Sequence, residues 1–249
     1  MTSDEARSTL DEGNSKLLER IEKLLPVEFL DKGGTEYNSV IRKSNPIHAE
    51  VWFYTPLSQE KLAHELLHVH LASVLGDCSC LLYADPTCIF TTCLFTEQFC
   101  TDLLNQSEHV ITYPLYLKMG YEPLKFVESI KDAHDSEYQL ILLHGVQRNG
   151  VYSSRNVDCF IRLCVYYLFF TIDNRFKQKC KALKDIDKTL YQVVENYHSA
   201  LKTITIKPQN RNKLQNIYKS FRNNLTRWYK NHNVRIINWN YEFTRSNKN

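Results

Sequence analysis

Ser58-Gln59-Glu60-Lys61-Leu62-Ala63-His64-Glu65-Leu66-Leu67-His68-Val69-His70-Leu71-Ala72-Ser73-Val74-Leu75-Gly76 is the stretch on which the reading of the whole chain turns. Pro56 or Ser58 suits the first turn of a helix, Leu75 ends the apolar spacing, and Gly76 is placed as the C-cap. On a helical wheel Leu62, Leu66, Leu67, Val69, Leu71, Val74 and Leu75 surround the axis almost completely. The one gap is a sector of Lys61, His64, Glu65, His68 and Ala72. A core helix with a single polar sector needs partners for those groups, because unpaired buried polar atoms are costly. His64 and His68 are four residues apart and about 40° apart in azimuth, so both imidazoles reach one metal ion. Glu65 flanks the same face, where it can take a proton from an activated water. His70 points to the opposite side and reads as a structural histidine.

Before this helix, Leu17 to Leu25 has helical spacing and stops at Pro26, while residues 1–13 read as a polar, frayed start. Tyr37–Arg42 and Ala49–Thr55 are strand candidates, the second rich in β-formers at Glu50-Val51-Trp52-Phe53-Tyr54. After it, a second helix is expected from about Thr92 to Ile111, ending before Pro114. Residues 157–176, 181–203 and 210–231 carry helical patterns, the last two separated by Lys207-Pro208-Gln209. The expected fold is therefore α+β and predominantly helical, with a small sheet. Residues 1–150 hold the metal-site domain and residues 151–249 a helical, basic C-terminal lobe.

Composition narrows the function. Only 7 glycines occur in 249 residues, and neither GxGxxG nor GxxxxGK[ST] is present, which argues against a dinucleotide or P-loop enzyme. The most apolar stretch, Cys159 to Ile172, carries Arg162 and is too short to span a bilayer, so no membrane role is expected. The chain opens on a polar run without an apolar signal region, and its 8 cysteines fit reduced thiols in a cytoplasmic protein. Cys78, Cys80, Cys88, Cys93 and Cys100 cluster within 23 residues but match no CxxC…CxxC zinc spacing.

A strand, a HExxH helix at His64-Glu65-Leu66-Leu67-His68 and a second helix able to supply a third ligand resemble the zincin metallopeptidases, in particular the gluzincin branch and its small cytosolic ImmA/IrrE-type members. The resemblance covers about residues 35–130. It implies a zincin-like core, one Zn²⁺, hydrolysis of a peptide bond in a peptide or protein substrate, and Glu65 as the general base. It also implies a Glu ligand a few tens of residues downstream. The second helix offers Asn105-Gln106-Ser107-Glu108-His109, where Glu108 and His109 flank an apolar stripe of Phe95, Phe99, Leu103 and Val110 on opposite sides. Glu108 fits the family rule, His109 shares a face with Asp102 and Asn105, and the wheel does not choose between them; Glu97 is a weaker third candidate. The metzincin continuation after His68 is missing, and the gluzincin ExxxD continuation fails because position 112 is Thr. In zincins a strand like Glu50–Tyr54 is an edge that pairs with substrate, although an ordinary core strand reads equally well. Tyr113, Tyr116, Tyr121 and His144 are candidates for stabilising an oxyanion or contacting substrate.

Residues 200–249 hold 11 Lys+Arg and one acidic residue, a charge of +10 that leaves −7 for residues 1–199. Tyr218, Phe221, Trp228, Tyr229, Trp239 and Tyr241 are interleaved with the cations. Such a segment could grip a nucleic acid by phosphate contacts and stacking, dock on the acidic N-terminal body or a protein partner, or be a solvated helix face. The alternative function is thus a zinc-containing binding or regulatory module acting through this basic lobe.

Overall fold

The computed structural model describes residues 1–33, 37–43, 45–76, 96–128, 152–170, 174–232 and 234–235. The chain divides into two compact units, each assembled from more than one stretch of chain. The first contains helices α1 (Ser3–Ser8) and α2 (Glu12–Glu22), strands β1 (Val27–Asp31), β2 (Asn38–Arg42) and β3 (His48–Phe53), and helix α3 (Gln59–Leu75). It also takes the part of α4 (Glu97–Lys118) from Glu108 onward, α5 (Pro123–Glu128) and the 3-10 turn Pro208–Asn210. The second takes α4 up to Ser107, then β4 (Tyr152–Ser153), α6 (Ser154–Phe169), α7 (Asn174–Ile186), α8 (Lys188–Leu201), α9 (Arg211–Lys230) from Lys213, and β5 (Val234–Arg235).

The expected frayed start is instead ordered. Thr2 and Glu5 form a reciprocal capping box on α1, and the Arg7 guanidinium donates to the Val27 carbonyl and pairs with Glu22 at 2.7 Å. Asp11 caps α2, whose Asn14 amide donates to the Gln59 carbonyl at 3.0 Å and so ties α2 to the start of α3.

The sheet has the order β1-β3-β2, with β1 parallel and β2 antiparallel to β3. Glu50–Tyr54 is thus not the edge: β3 is the central strand, and β2 is the edge on its antiparallel side. Alternation sends Ala49, Val51 and Phe53 into the core. On the other face Arg42 grips Glu50 through two 2.9 Å bonds and Trp52 Nε1 donates to the same carboxylate, which holds Glu50 down at about 2.

Helix α3 carries the first unit's core. Ser58 caps it, accepting from the Lys61 amide, and Leu62, Ala63, Leu66, Leu67, Val69, Leu71 and Leu75 are buried. Gly76 ends it at φ 76° and ψ 169°, a backbone region that glycine alone adopts without strain. His70 is buried, and burial together with Arg20 lowers its pKa.

Helix α4 does not stop before Pro114; it continues to Lys118. Pro114 removes one amide donor and its ring is exposed, while buried Ile111 and Tyr116 keep the helix packed on either side of it. In the second unit the expected helix over 181–203 is two helices. Asp187 ends α7 and starts α8, accepting from the amides of Thr189 and Leu190.

Among the described residues no helix is long and apolar enough to cross a membrane. Cys100 is a buried free thiol, whereas Cys78, Cys80, Cys88 and Cys93 lie outside the described residues.

A candidate metal centre

All the side chains of the centre belong to the first unit. Helix α3 presents His64, Glu65 and His68; α4 presents Glu108 and His109. His64 Nε2 lies 3.0 Å from His68 Nε2 and 3.1 Å from His109 Nε2. One ligand atom from each of these three residues falls within 4.8 Å of the others, so the group can hold a metal ion. Around a tetrahedral ion with bonds of about 2.0–2.1 Å, neighbouring nitrogens sit roughly 3.3–3.4 Å apart, close to the two spacings that His64 makes here.

Glu108 has a different place from its neighbour. Its Oε2 is 2.6 Å from His68 Nδ1, the nitrogen turned away from the cluster. Adjacent residues on a helix point about 100° apart, which is why His109 meets the Nε2 cluster while Glu108 reaches the back of one imidazole. Nδ1–H donation to Glu108 leaves the Nε2 lone pair of a neutral His68 facing His64 and His109, the tautomer that a metal requires. Thr112, where a gluzincin would carry Asp, turns back to donate to the Glu108 carbonyl at 2.8 Å.

Burial sets the charge state. It holds His64 and His109 well below the ordinary histidine range, and each is depressed further by its histidine neighbours, so both are neutral and ready to ligate. Burial alone would lower His68 as well, but the Glu108 carboxylate outweighs it and the net shift is upward. Three imidazole nitrogens converging in a buried place, two of them held neutral, make a donor set that a cation completes.

Glu65 projects beside the cluster, half-buried. Burial raises its pKa, opposed by His68 and by Ser39, whose Oγ donates to Glu65 Oε2 at 2.9 Å. Ser39 comes from edge strand β2 and was not evident from sequence, nor was Phe126 on α5. The Phe126 ring is buried with its centroid 4.7 Å from that of His64 and 5.4 Å from that of His109, an apolar wall that keeps water from that side. No local pattern marks either residue; both are brought in by tertiary contact.

The other candidates separate by position. Tyr113 is half-buried one turn beyond His109, its ring 5.2 Å from Phe126. Tyr116 is fully buried behind Phe126, at 4.8 Å. Tyr121 donates its hydroxyl to the Asp11 carboxylate at 2.7–2.8 Å, so that hydroxyl is engaged away from the cluster. Glu97 lies at the far end of α4, in the second unit, and His144 lies outside the described residues.

No family model matches the chain, and neither a curated protein nor a solved structure matches it.

Proposed function

We propose that the protein is a zinc-dependent peptidase in which His64, His68 and His109 hold the ion and Glu65 is the general base. One observation carries this reading: a His-x-x-x-His pair on α3 and a His from α4 converge through Nε2 atoms at 3.0 and 3.1 Å, with a carboxylate next to the first ligand. Zinc held by three neutral imidazoles would supply Lewis acidity to a water and to a peptide carbonyl.

The rest falls to the protein. Glu65, its carboxyl lifted by burial, is a stronger base than an exposed carboxylate; it takes the proton of the attacking water and returns it to the leaving amine. Ser39 keeps that carboxylate oriented, and Glu108 fixes the His68 ring. Tyr113, one helical turn beyond His109 on the same face of α4, is the candidate hydroxyl for an oxyanion. The donor set is three histidines braced by a glutamate, not the two histidines and a glutamate of the gluzincins, so the likeness to that branch rests on the HExxH helix alone.

The test pairs metal content with cleavage. The purified protein is expected to hold about one zinc per chain, and Glu65→Gln to keep the zinc while losing cleavage of a peptide library. Full cleavage by Glu65→Gln would end the peptidase reading, and a chain that takes up no zinc would end the site.

A further inference from the structure

We infer that the solvent face of α9 in the second unit is a nucleic-acid-binding surface. From Lys213 to Lys230 this helix carries Lys213, Lys219, Arg222, Arg227 and Lys230 and no acidic residue. Leu214, Tyr218, Phe221, Leu225 and Trp228 form its buried stripe. Opposite that stripe, within about 60° of its back, stand Asn216, Lys219, Ser220, Asn223, Arg227 and Lys230, all exposed. The outward face therefore consists of cations, amides and a hydroxyl.

An ordinary solvated helix mixes both signs, as α2 does here with Glu12 against Lys16, because opposite charges a turn apart support the helix. On α9 the cations have no acidic residue of their own helix a turn away. Over residues 174–230 the imbalance widens to 14 Lys+Arg against Asp185, Asp187 and Glu195. Asp187 is buried and accepts from Trp228 Nε1 at 3.2 Å, and Glu195 accepts from Gln192 and lies on the side of Cys164 and Cys180. Neither carboxylate faces outward beside α9.

The surface is also shaped. Along one flank of that face a groove of about 450 Å³ runs between α8 and α9, lined by Asn196, Asn216, Ser220 and Asn224 with Lys213 as the α9 cation on it, and with Tyr197 and Phe221 below. Those two rings stack at 4.1 Å and tie α8 to α9 beneath the surface. Cations spaced along about 26 Å of helix match a phosphate backbone, and amides beside them offer paired donors and acceptors to base edges. An acidic protein would use the cations but would leave the amide row without a role.

The test uses the full chain and four labelled probes read by fluorescence anisotropy: a 20-nucleotide single-stranded RNA, the same sequence as single-stranded DNA, a 20-base-pair DNA duplex, and polyglutamate. At least one nucleic acid is expected to bind at about 50 mM salt, with log K falling on log salt with a slope of roughly −3 to −4 if four cations meet phosphates. The preferred strand type identifies the source. Lys219→Gln/Arg227→Gln/Lys230→Gln should weaken binding at least tenfold, while Lys16→Gln/Lys23→Gln/Lys118→Gln, the same charge change in the first unit, should change it less than threefold. Glu65→Gln should bind as the parent does, since this surface does not depend on the metal centre. Binding by no nucleic acid, equal loss in the two triple variants, or tighter binding of polyglutamate would each overturn the inference.

Discussion

The Glu108 carboxylate meets His68 at Nδ1, 2.6 Å away, while the next residue, His109, meets the HExxH pair at Nε2. Two consecutive residues of one helix thus differ in role: one brings a nitrogen to the cluster, the other braces the back of an imidazole already in it. His109→Ala should therefore lower zinc affinity more than Glu108→Ala, whose loss should stay within about 10–100-fold, as for a group that only braces a ligand. Competition against a chromophoric chelator measures both. A larger loss in Glu108→Ala would make the carboxylate the ligand.

Ser39 donates to Glu65 from the edge strand, a contact between residues 26 apart in sequence. On the peptidase reading, Ser39→Ala frees the carboxylate to rotate, and a hydrogen bond of about 1 kcal/mol corresponds to a fall in kcat of roughly fivefold. Zinc content should not change. An unaltered kcat would show that burial alone orients Glu65.

How far sequence led differs from residue to residue. The α3 boundaries were legible because Ser58 and Gly76 act locally, through a side-chain cap and a positive φ. The His64–His68 pair was legible because helix period alone puts the two on one face. Glu108 and His109 could not be ranked, because their roles follow from the rotation of α4 about its axis. Which side of α4 is buried, marked here by Val110, Ile111 and Tyr116, depends on contacts outside the helix's own sequence. β1 escaped notice for a related reason: its five residues gain their ladder only by parallel pairing with β3, two elements downstream. Pro114 misled because a proline ends a helix only where its neighbours do not hold the backbone, and here buried Ile111 and Tyr116 flank it.

Gly76 offers a test of backbone against side-chain crowding. A Cβ there would stand 2.9 Å from the Arg211 guanidinium, a flexible tip that can move, whereas φ 76° with ψ 169° cannot be relieved without remaking the helix end. Gly76→Ala should cost on the order of 1–3 kcal/mol in a urea melt. Gly76→Ala/Arg211→Ala should recover little of it. Full recovery would make the guanidinium, not the backbone, the cause.

Two buried groups of the second unit pull its pH dependence in opposite directions. Burial lifts Asp158 to about 6 even though Arg162 stands against it, and burial holds His198 down at about 3. Between pH 4 and 6 the folded chain binds more protons at Asp158 than the unfolded chain does, so this group's contribution falls as pH rises. Raising an aspartate from its ordinary value near 4 to about 6 changes stability across that window by about 3 kcal/mol at most. At His198 the unfolded chain binds the extra proton, so stability there is lost as pH falls from about 6.5 toward 3. The parent protein should show a shallow dependence over the shared window. Asp158→Asn keeps a polar partner beside Arg162, which still pairs with Asp102 at 2.9 Å, and it removes only the opposing slope. Urea melts at pH 4, 5 and 6 should then show the variant gaining stability with pH more steeply than the parent. Parallel pH profiles would mean that Asp158 stays ionised throughout, its burial fully offset by Arg162.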